Sequence, residues 1–247
     1  MMNEYINDKT KYILFNSPKY EEHKEGVNDF LKNKTFLTVC PSDADGFYTD
    51  SYNSHHFTNK FTYSRAKEVL GFIGIDFNID DFELIENFEN GEDFSYLKSL
   101  KDYTYEITSD RYEIPDTKNK LIVIYENSKT KKYKIDELLN CDVDNAEELG
   151  FSAYPVHTAY HRLFKFSHQC CHIKNLDCHN GKKLIISCDS YIVPYIPLII
   201  PYCEEVTIMD NRFWGYHYHH FKLYEYTDVV VALSYCNDVK KYIDNNF

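Results

Sequence analysis

Short continuous apolar runs, each bounded by polar or turn residues, recur along the chain and read as buried strands. The plainest is Leu184-Ile185-Ile186, set between Lys182-Lys183 and Cys188-Asp189-Ser190. Val206-Thr207-Ile208-Met209 is a second, after Glu204-Glu205, and residues 229–233 are a third. Phe36, Leu37 and Val39 give a fourth over 35–39, and 11–15 a short fifth. Between the first two, residues 191–202 predict a helix. Pro194 falls in its first turn, where a missing N–H costs little, and Pro197 lies deeper, where it should kink the helix or loosen it into a 3₁₀-like turn. Strand, crossover helix, strand is a right-handed βαβ unit and hence a parallel sheet. Helical spacing puts Val27, Phe30 and Leu31 on one face of 20–32, and Tyr63, Ala66, Val69 and Leu70 on one face of 61–72. Gly71 and Gly74 end the latter.

Between about 75 and 135 this rhythm breaks. Residues 77–90 read as acidic and irregular, and 103–107 as a weakly alternating strand. Residues 121–125 and 132–135 read as a β-hairpin across Asn127-Ser128-Lys129-Thr130. Residues 157–171 follow a helical pattern, and 238–243 close the chain as a short helix. The expected architecture is one three-layer α/β domain over 1–247, with a mostly parallel sheet and a β-rich insertion at about 75–135.

Composition narrows the partners. A chain of 247 residues with 43% hydrophobic positions can bury a sizeable core. Its formal charge of −12 speaks against nucleic acid and against an anionic membrane surface, and suits a neutral substrate such as a sugar. Met1-Met2-Asn3-Glu4-Tyr5 lacks the basic and apolar regions of a signal peptide, and no apolar run reaches the length of a membrane span. Eight cysteines without an export signal then read as reduced thiols, which gives a cytoplasmic expectation.

In a parallel sheet, ligands bind outside the carboxyl ends of the strands. Ser190 lies at one such end and opens a helix, so its hydroxyl is exposed while its N–H and the helix's positive end face any anion formed beside it. The plainer use of a serine there is as an N-cap. Arg212 follows the next strand. Upstream, the polar loop 41–60 carries Phe47-Tyr48-Thr49-Asp50-Ser51-Tyr52-Asn53-Ser54-His55-His56-Phe57-Thr58.

These two segments, in this order, resemble the DHHW family, related to the alginate O-acetylation proteins of the SGNH-hydrolase-like superfamily. Cys188-Asp189-Ser190 stands for that family's GDS motif, and His55-His56-Phe57-Thr58 for its His-His-Trp-Thr run before a helix. The resemblance spans roughly residues 36–235. It departs in two places: Cys188 replaces the glycine, and Ser54 rather than Asp precedes the histidines. Asp50 follows Thr49 as the family's Asp follows its Thr, so either 51–54 is an insertion that loops out or the orienting carboxylate is lost. Members are often exported or membrane-anchored.

The resemblance implies a serine nucleophile whose Asp and His come earlier in the chain. Nucleophilic catalysis needs a hydroxyl, a base and a group that orients the base. Ser190, His56 and Asp50 are the candidates. Arg212 and the Ser190 amide would steady an oxyanion. His55, Asp189 and Trp214 complete the candidate set, with Trp214 and Tyr216 forming an aromatic lip on which a sugar ring could stack. Asp189 and Asp210 also fit plain roles, in a first helical turn and at a strand end. The implied function is transfer or hydrolysis of an O-acyl group, acetyl in first place, on a carbohydrate. The alternative is a glycan- or partner-binding protein on the same scaffold with its triad decayed.

A metal reading competes. His168, Cys170, Cys171, His172, Cys178 and His179 are zinc-ligand types, and His168 and His172 would share a helix face. Their spacing matches no standard finger, and buried thiols beside helix-end histidines explain them as well. His217, His219 and His220 read more simply as part of the polar lip. Neither a metal nor a cofactor is expected.

Overall fold

The computed structural model describes residues 6–16, 24–40, 59–86, 88–89, 92–93, 96–113, 124–125, 129–134, 169–188, 191–210 and 225–234. Its centre is a mixed nine-stranded sheet. Five neighbouring strands run parallel, in the order β2 (Phe36–Val39), β1 (Lys11–Phe15), β13 (Asp228–Ser234), β11 (Lys183–Cys188) and β12 (Glu205–Asp210). The sheet continues antiparallel through β10 (Gln169–Asn175) to β7 (Thr104–Glu113), which pairs with both β8 (Ile124–Tyr125) and β9 (Lys129–Lys134). Two small sheets pair β3 (Phe82–Ile85) with β6 (Tyr96–Ser99), and β4 (Phe88–Glu89) with β5 (Glu92–Asp93). This is the expected α/β fold with its mostly parallel core and its β-rich insertion.

The parallel strands are continuous apolar runs because both faces of the sheet are covered. In β1, Ile13 and Phe15 join one core while Tyr12 and Leu14 join the other. Helix α2 (Asn59–Phe72) covers the first face with Phe61, Ala66, Val69 and Leu70, together with the crossover between β11 and β12. Helix α1 (Lys24–Leu31) covers the second with Val27 and Leu31. Helix, sheet and helix make the three layers. Among the described residues no helix is long and apolar enough to cross a membrane.

The crossover keeps the predicted position but not a continuous helix. It comprises a 3₁₀ turn at Val193–Tyr195, one α-turn at Ile196–Ile199 (α3) and a second 3₁₀ turn at Ile200–Tyr202. Pro194, Pro197 and Pro201 each remove a donor, so no longer helix can close. Burial holds the pieces instead: Ile196, Leu198, Ile199 and Ile200 are all in the core.

Helix α2 ends as its glycine predicts. Gly74 adopts φ 80°, its N–H donates to the Gly71 carbonyl (3.0 Å), and the Ile75 N–H reaches back to the Leu70 carbonyl (2.8 Å). These two bonds define a Schellman cap. The Lys182 ammonium donates to the Ile73 carbonyl (3.2 Å), a cation placed where the helix dipole is negative.

Three expectations need correction. Residues 77–90 are not wholly irregular: Ile79–Asp81 form a 3₁₀ turn, and β3 and β4 follow. Among the described residues of the expected hairpin, β8 and β9 do not pair with each other. Both β8 and β9 lie antiparallel along β7, at Tyr112–Glu113 and at Thr104–Ser109. Finally, residues 169–171 begin strand β10 instead of ending a helix, because β12 and β7 offer hydrogen-bonding partners on both sides. Residues 157–168, like 238–243, lie outside the described residues.

The cap gives a direct test. Gly74→Ala forces a Cβ into the left-handed region and is expected to lower stability by about 1–2 kcal/mol in urea denaturation. Space is not the obstacle, since only the ends of Lys11 and Lys182 approach that Cβ, at 3.4 Å.

Candidate active site

Because β2, β1, β13, β11 and β12 are parallel, their carboxyl ends share one edge of the sheet. Phe15 pairs with Val39 and with Ser234, Ser187 with Val231, and Cys188 with Asp210. Each predicted site residue follows one of these ends. Asp50, His55 and His56 lie between β2 and α2, Asp189 and Ser190 come directly after β11, and Arg212 and Trp214 come shortly after β12. All seven lie outside the described residues. The elements that carry them are described, and they set which parts of the chain leave this edge.

Strand β2 is three strands from β11, a separation of roughly 14 Å at about 4.8 Å per strand. Helix α2 shortens that gap. Its C-terminal Gly74 sits beside Lys11 and Lys182, which precede or open strands at the opposite edge. Its first residue, Asn59, therefore starts on the candidate edge. On the way α2 packs against β2 and against the 193–195 turn. The chain leaving His56 thus enters a helix that lies against the turn beginning three residues after Ser190.

The residues flanking Asp189-Ser190 are held firmly. Cys188, which stands where the resembled family has glycine, is completely buried and packs in the core beneath α2. Phe15, at the end of β1, stacks on Tyr191 (centroids 6.0 Å apart, planes at 20°) and on Tyr195 (5.8 Å, 27°). Offset stacking of this kind adds to the area term. Among the described residues the buried Tyr195 hydroxyl has no hydrogen-bond partner, and burial raises its pKa well above the ordinary phenol value. Next to Phe15, the Asn16 side-chain amide donates to Cys40 Sγ (3.3 Å), tying the exits of β1 and β2 together. Sequence reading passed over Phe15 and Asn16. Their signal is modest: a short apolar strand that ends in Asn-Ser-Pro.

Of the residues in the metal reading, His172, Cys178 and His179 have described side chains. His172 lies on β10 directly opposite Thr207, with Nδ1 2.8 Å from Thr207 Oγ1 and Nε2 3.4 Å from Glu205. Burial, partly offset by Glu205, lowers its pKa from 6.5 to about 4, so the ring is neutral at pH 7. Glu205 opens β12 and also bonds Lys183 (3.1 Å), so this cluster sits at the edge away from Ser190. Among the described residues no group of three His, Cys, Asp or Glu side chains could hold a metal ion. His168, Cys170, Cys171, His217, His219 and His220 have no described side chains.

No protein-family model matches the sequence, and no curated protein matches it significantly. Solved structures do. A DHHW family protein from Eubacterium siraeum superposes with a TM-score of 0.59 at 15% identity, over 99% of this chain and 85% of that one. PatB1 of Bacillus cereus, solved with a sulfonyl adduct, gives 0.58 at 14% identity over 93% and 83% of the two chains. A second PatB1 structure gives 0.54 at 15% identity over 96% and 85%. The fold is shared along nearly the whole chain. At these identities the likeness is one of fold.

His172 supplies a pH dependence with a definite sign. The unfolded chain protonates this ring near 6.5 and the folded one near 4, so the unfolded state binds more protons between those values. Stability from this group is complete above pH 6.5 and is lost as pH falls towards 4, by up to about 3 kcal/mol. Urea denaturation at pH 7 and at pH 4.5 should show a smaller acid loss for His172→Gln than for the wild type.

Proposed function

We propose that the protein transfers or hydrolyses an O-acyl group, with acetyl first in line, on a carbohydrate. Ser190 is the nucleophile, His56 the base and Asp50 the group that orients it. The observation that carries this reading is topological. The three chain segments holding the candidate residues all leave the carboxyl edge of one parallel sheet, and α2 leads from the histidines to the turn after Ser190. The fold likeness to a DHHW family protein and to PatB1 with a sulfonyl adduct points the same way. A sulfonyl group is what an activated hydroxyl captures from a sulfonylating reagent.

In this reading His56 takes the Ser190 proton as the oxygen attacks the acyl carbonyl. The oxyanion is met by Arg212 and the Ser190 N–H. His56 then returns the proton to the departing alcohol, leaving an acyl-serine. A sugar hydroxyl or water gives up its proton to His56, attacks the acyl carbon and frees Ser190. His55 and Asp189 border the reacting groups, and Trp214 offers a ring face to the sugar. Because the crossover is broken into short turns, its dipole contributes little. The longer α2 has its positive end on this edge, with no acidic residue in its first turn to cancel it.

The second reading, a binding protein with a decayed triad, draws on Ser54 in the place of the family's Asp. The other departure weighs less. The Cys188 side chain packs into the core, so it fits the scaffold without filling the ligand side.

Acetyl-ester turnover by the wild type should exceed that of Ser190→Ala by at least ~10³-fold. Phenylmethylsulfonyl fluoride should add one sulfonyl group to the peptide 184–212, and none to the Ser190→Ala chain. Equal turnover and equal labelling in the two proteins would leave only the binding reading.

A further inference from the structure

The sheet order brings together two thiols that the proposed reaction does not use. Strand β12 lies between β10 and β11, so the chain leaving β10 at Asn175 must pass the foot of β12 to reach β11 at Lys183. Residues 176–182 make that passage. At its near end the Asn175 N–H donates to the Glu204 carbonyl (2.9 Å), and Asn175 Nδ2 donates to the Ile200 carbonyl (3.3 Å). At its far end Asn180 Nδ2 donates to the Tyr202 carbonyl (2.8 Å), and the Gly181 N–H to Glu204 Oε2 (3.0 Å). The Glu204 N–H closes the bracket on the Lys182 carbonyl (2.9 Å). Cys178 lies in the middle of the passage. Cys203 lies between Tyr202, which the far end of the passage grips, and Glu204, which both ends grip.

Cys203 is buried and Cys178 half-buried, and both thiols are free. Charge on Cys178 bears on Cys203, and charge on either bears on Tyr105, so the three groups share one neighbourhood. We propose that Cys178 and Cys203 form a redox pair that closes into an intramolecular disulfide, with a low-molecular-weight disulfide as oxidant.

The exchange balances in two steps. The more accessible Cys178 thiolate attacks the reagent RSSR, forming a Cys178–S–S–R bond and releasing RS⁻. The Cys203 thiolate then attacks the Cys178 sulfur, and the second RS⁻ leaves. Two cysteine thiols are oxidised, one RSSR is reduced to two RSH, and no other reactant is needed. Burial pushes the Cys203 thiol up to about 12, so the second exchange is the slower and quickens as pH rises. The finished bond staples the end of the crossover to the loop that passes beneath it. It also restricts the unfolded chain between 178 and 203, which is the source of its stabilisation.

The full chain incubated with glutathione disulfide, quenched in acid and digested with trypsin tests this. The expected product joins peptide 175–182 to peptide 184–212 and weighs two hydrogens less than their sum. The unfolding midpoint rises by roughly 5 °C or more and returns on reduction. In Cys203→Ala the glutathione adduct should persist on Cys178 with no such rise, and in Cys178→Ser no link should form. Cys188 shares the second peptide, and Cys188→Ala should leave the link in place. If a variant fails to fold, fragment ions of the wild-type product still assign the bond to Cys203 or Cys188. A lasting adduct at Cys178 in the wild type, a link to any other cysteine, or an unreacted Cys178 overturns the proposal.

Discussion

Leu184, Ile185 and Ile186 are almost completely buried on alternate faces of a strand with parallel neighbours on both sides. Each such side chain contributes about 1.5–3 kcal/mol on burial. Three of them together match the net stability of many whole domains, about 5–15 kcal/mol. This two-sided burial of β11 fixes the register of β13 and β12. It also defines which way the carboxyl edge faces and where residues 189–190 leave the sheet. A polar residue at Ile185 or Ile186 would lose that register first and the proposed chemistry with it.

Long apolar runs and proline placement made much of this legible in the chain. Four of the five parallel strands were visible because they are buried on both faces and so are apolar without alternation, whereas β2, at the edge with Phe36 exposed, showed through Leu37 and Val39. The crossover was visible through Pro194 and Pro197; Pro197 foretold a broken helix, while the 3₁₀ turns themselves fall at Pro194 and Pro201. Gly74 marked the end of α2. What sequence could not show was structure imposed by neighbours. Gln169–Asn175 contains one strong strand former, Ile173, and becomes a strand because β12 and β7 flank it. Strand β7 runs six residues past its expected end at Ile107, into a polar stretch whose backbone is paired by β10, β9 and β8 in turn. The turn at 127–130 had the right residues, but β7 was long enough to take both flanking segments.

For the candidate site, sequence placed the chemistry at strand ends and the topology puts those ends on one edge. Reading residues alone missed the support beneath. Phe15 belongs to a strand chosen for its apolarity, yet its ring braces Tyr191 and Tyr195, and so the start of the crossover. His172 shows the opposite case. Its residue type invited a metal reading, while both its ring nitrogens face partners on β12. Spacing along a chain says which faces two residues share only once the period is known, and here the period was two rather than 3.6.

The fourteen residues of α2 span about 21 Å. One extremity is clamped at Gly74 by a lysine that also reaches Asp228 at the base of β13 (3.6 Å). The helix is therefore a strut between the two rims of the sheet. A small tilt about its clamped foot would move its packed head through a longer arc, on the very rim where the histidine segment joins it. Side chains that touch no ligand, such as Lys182 and Asp228, thereby govern how the upper rim is aligned.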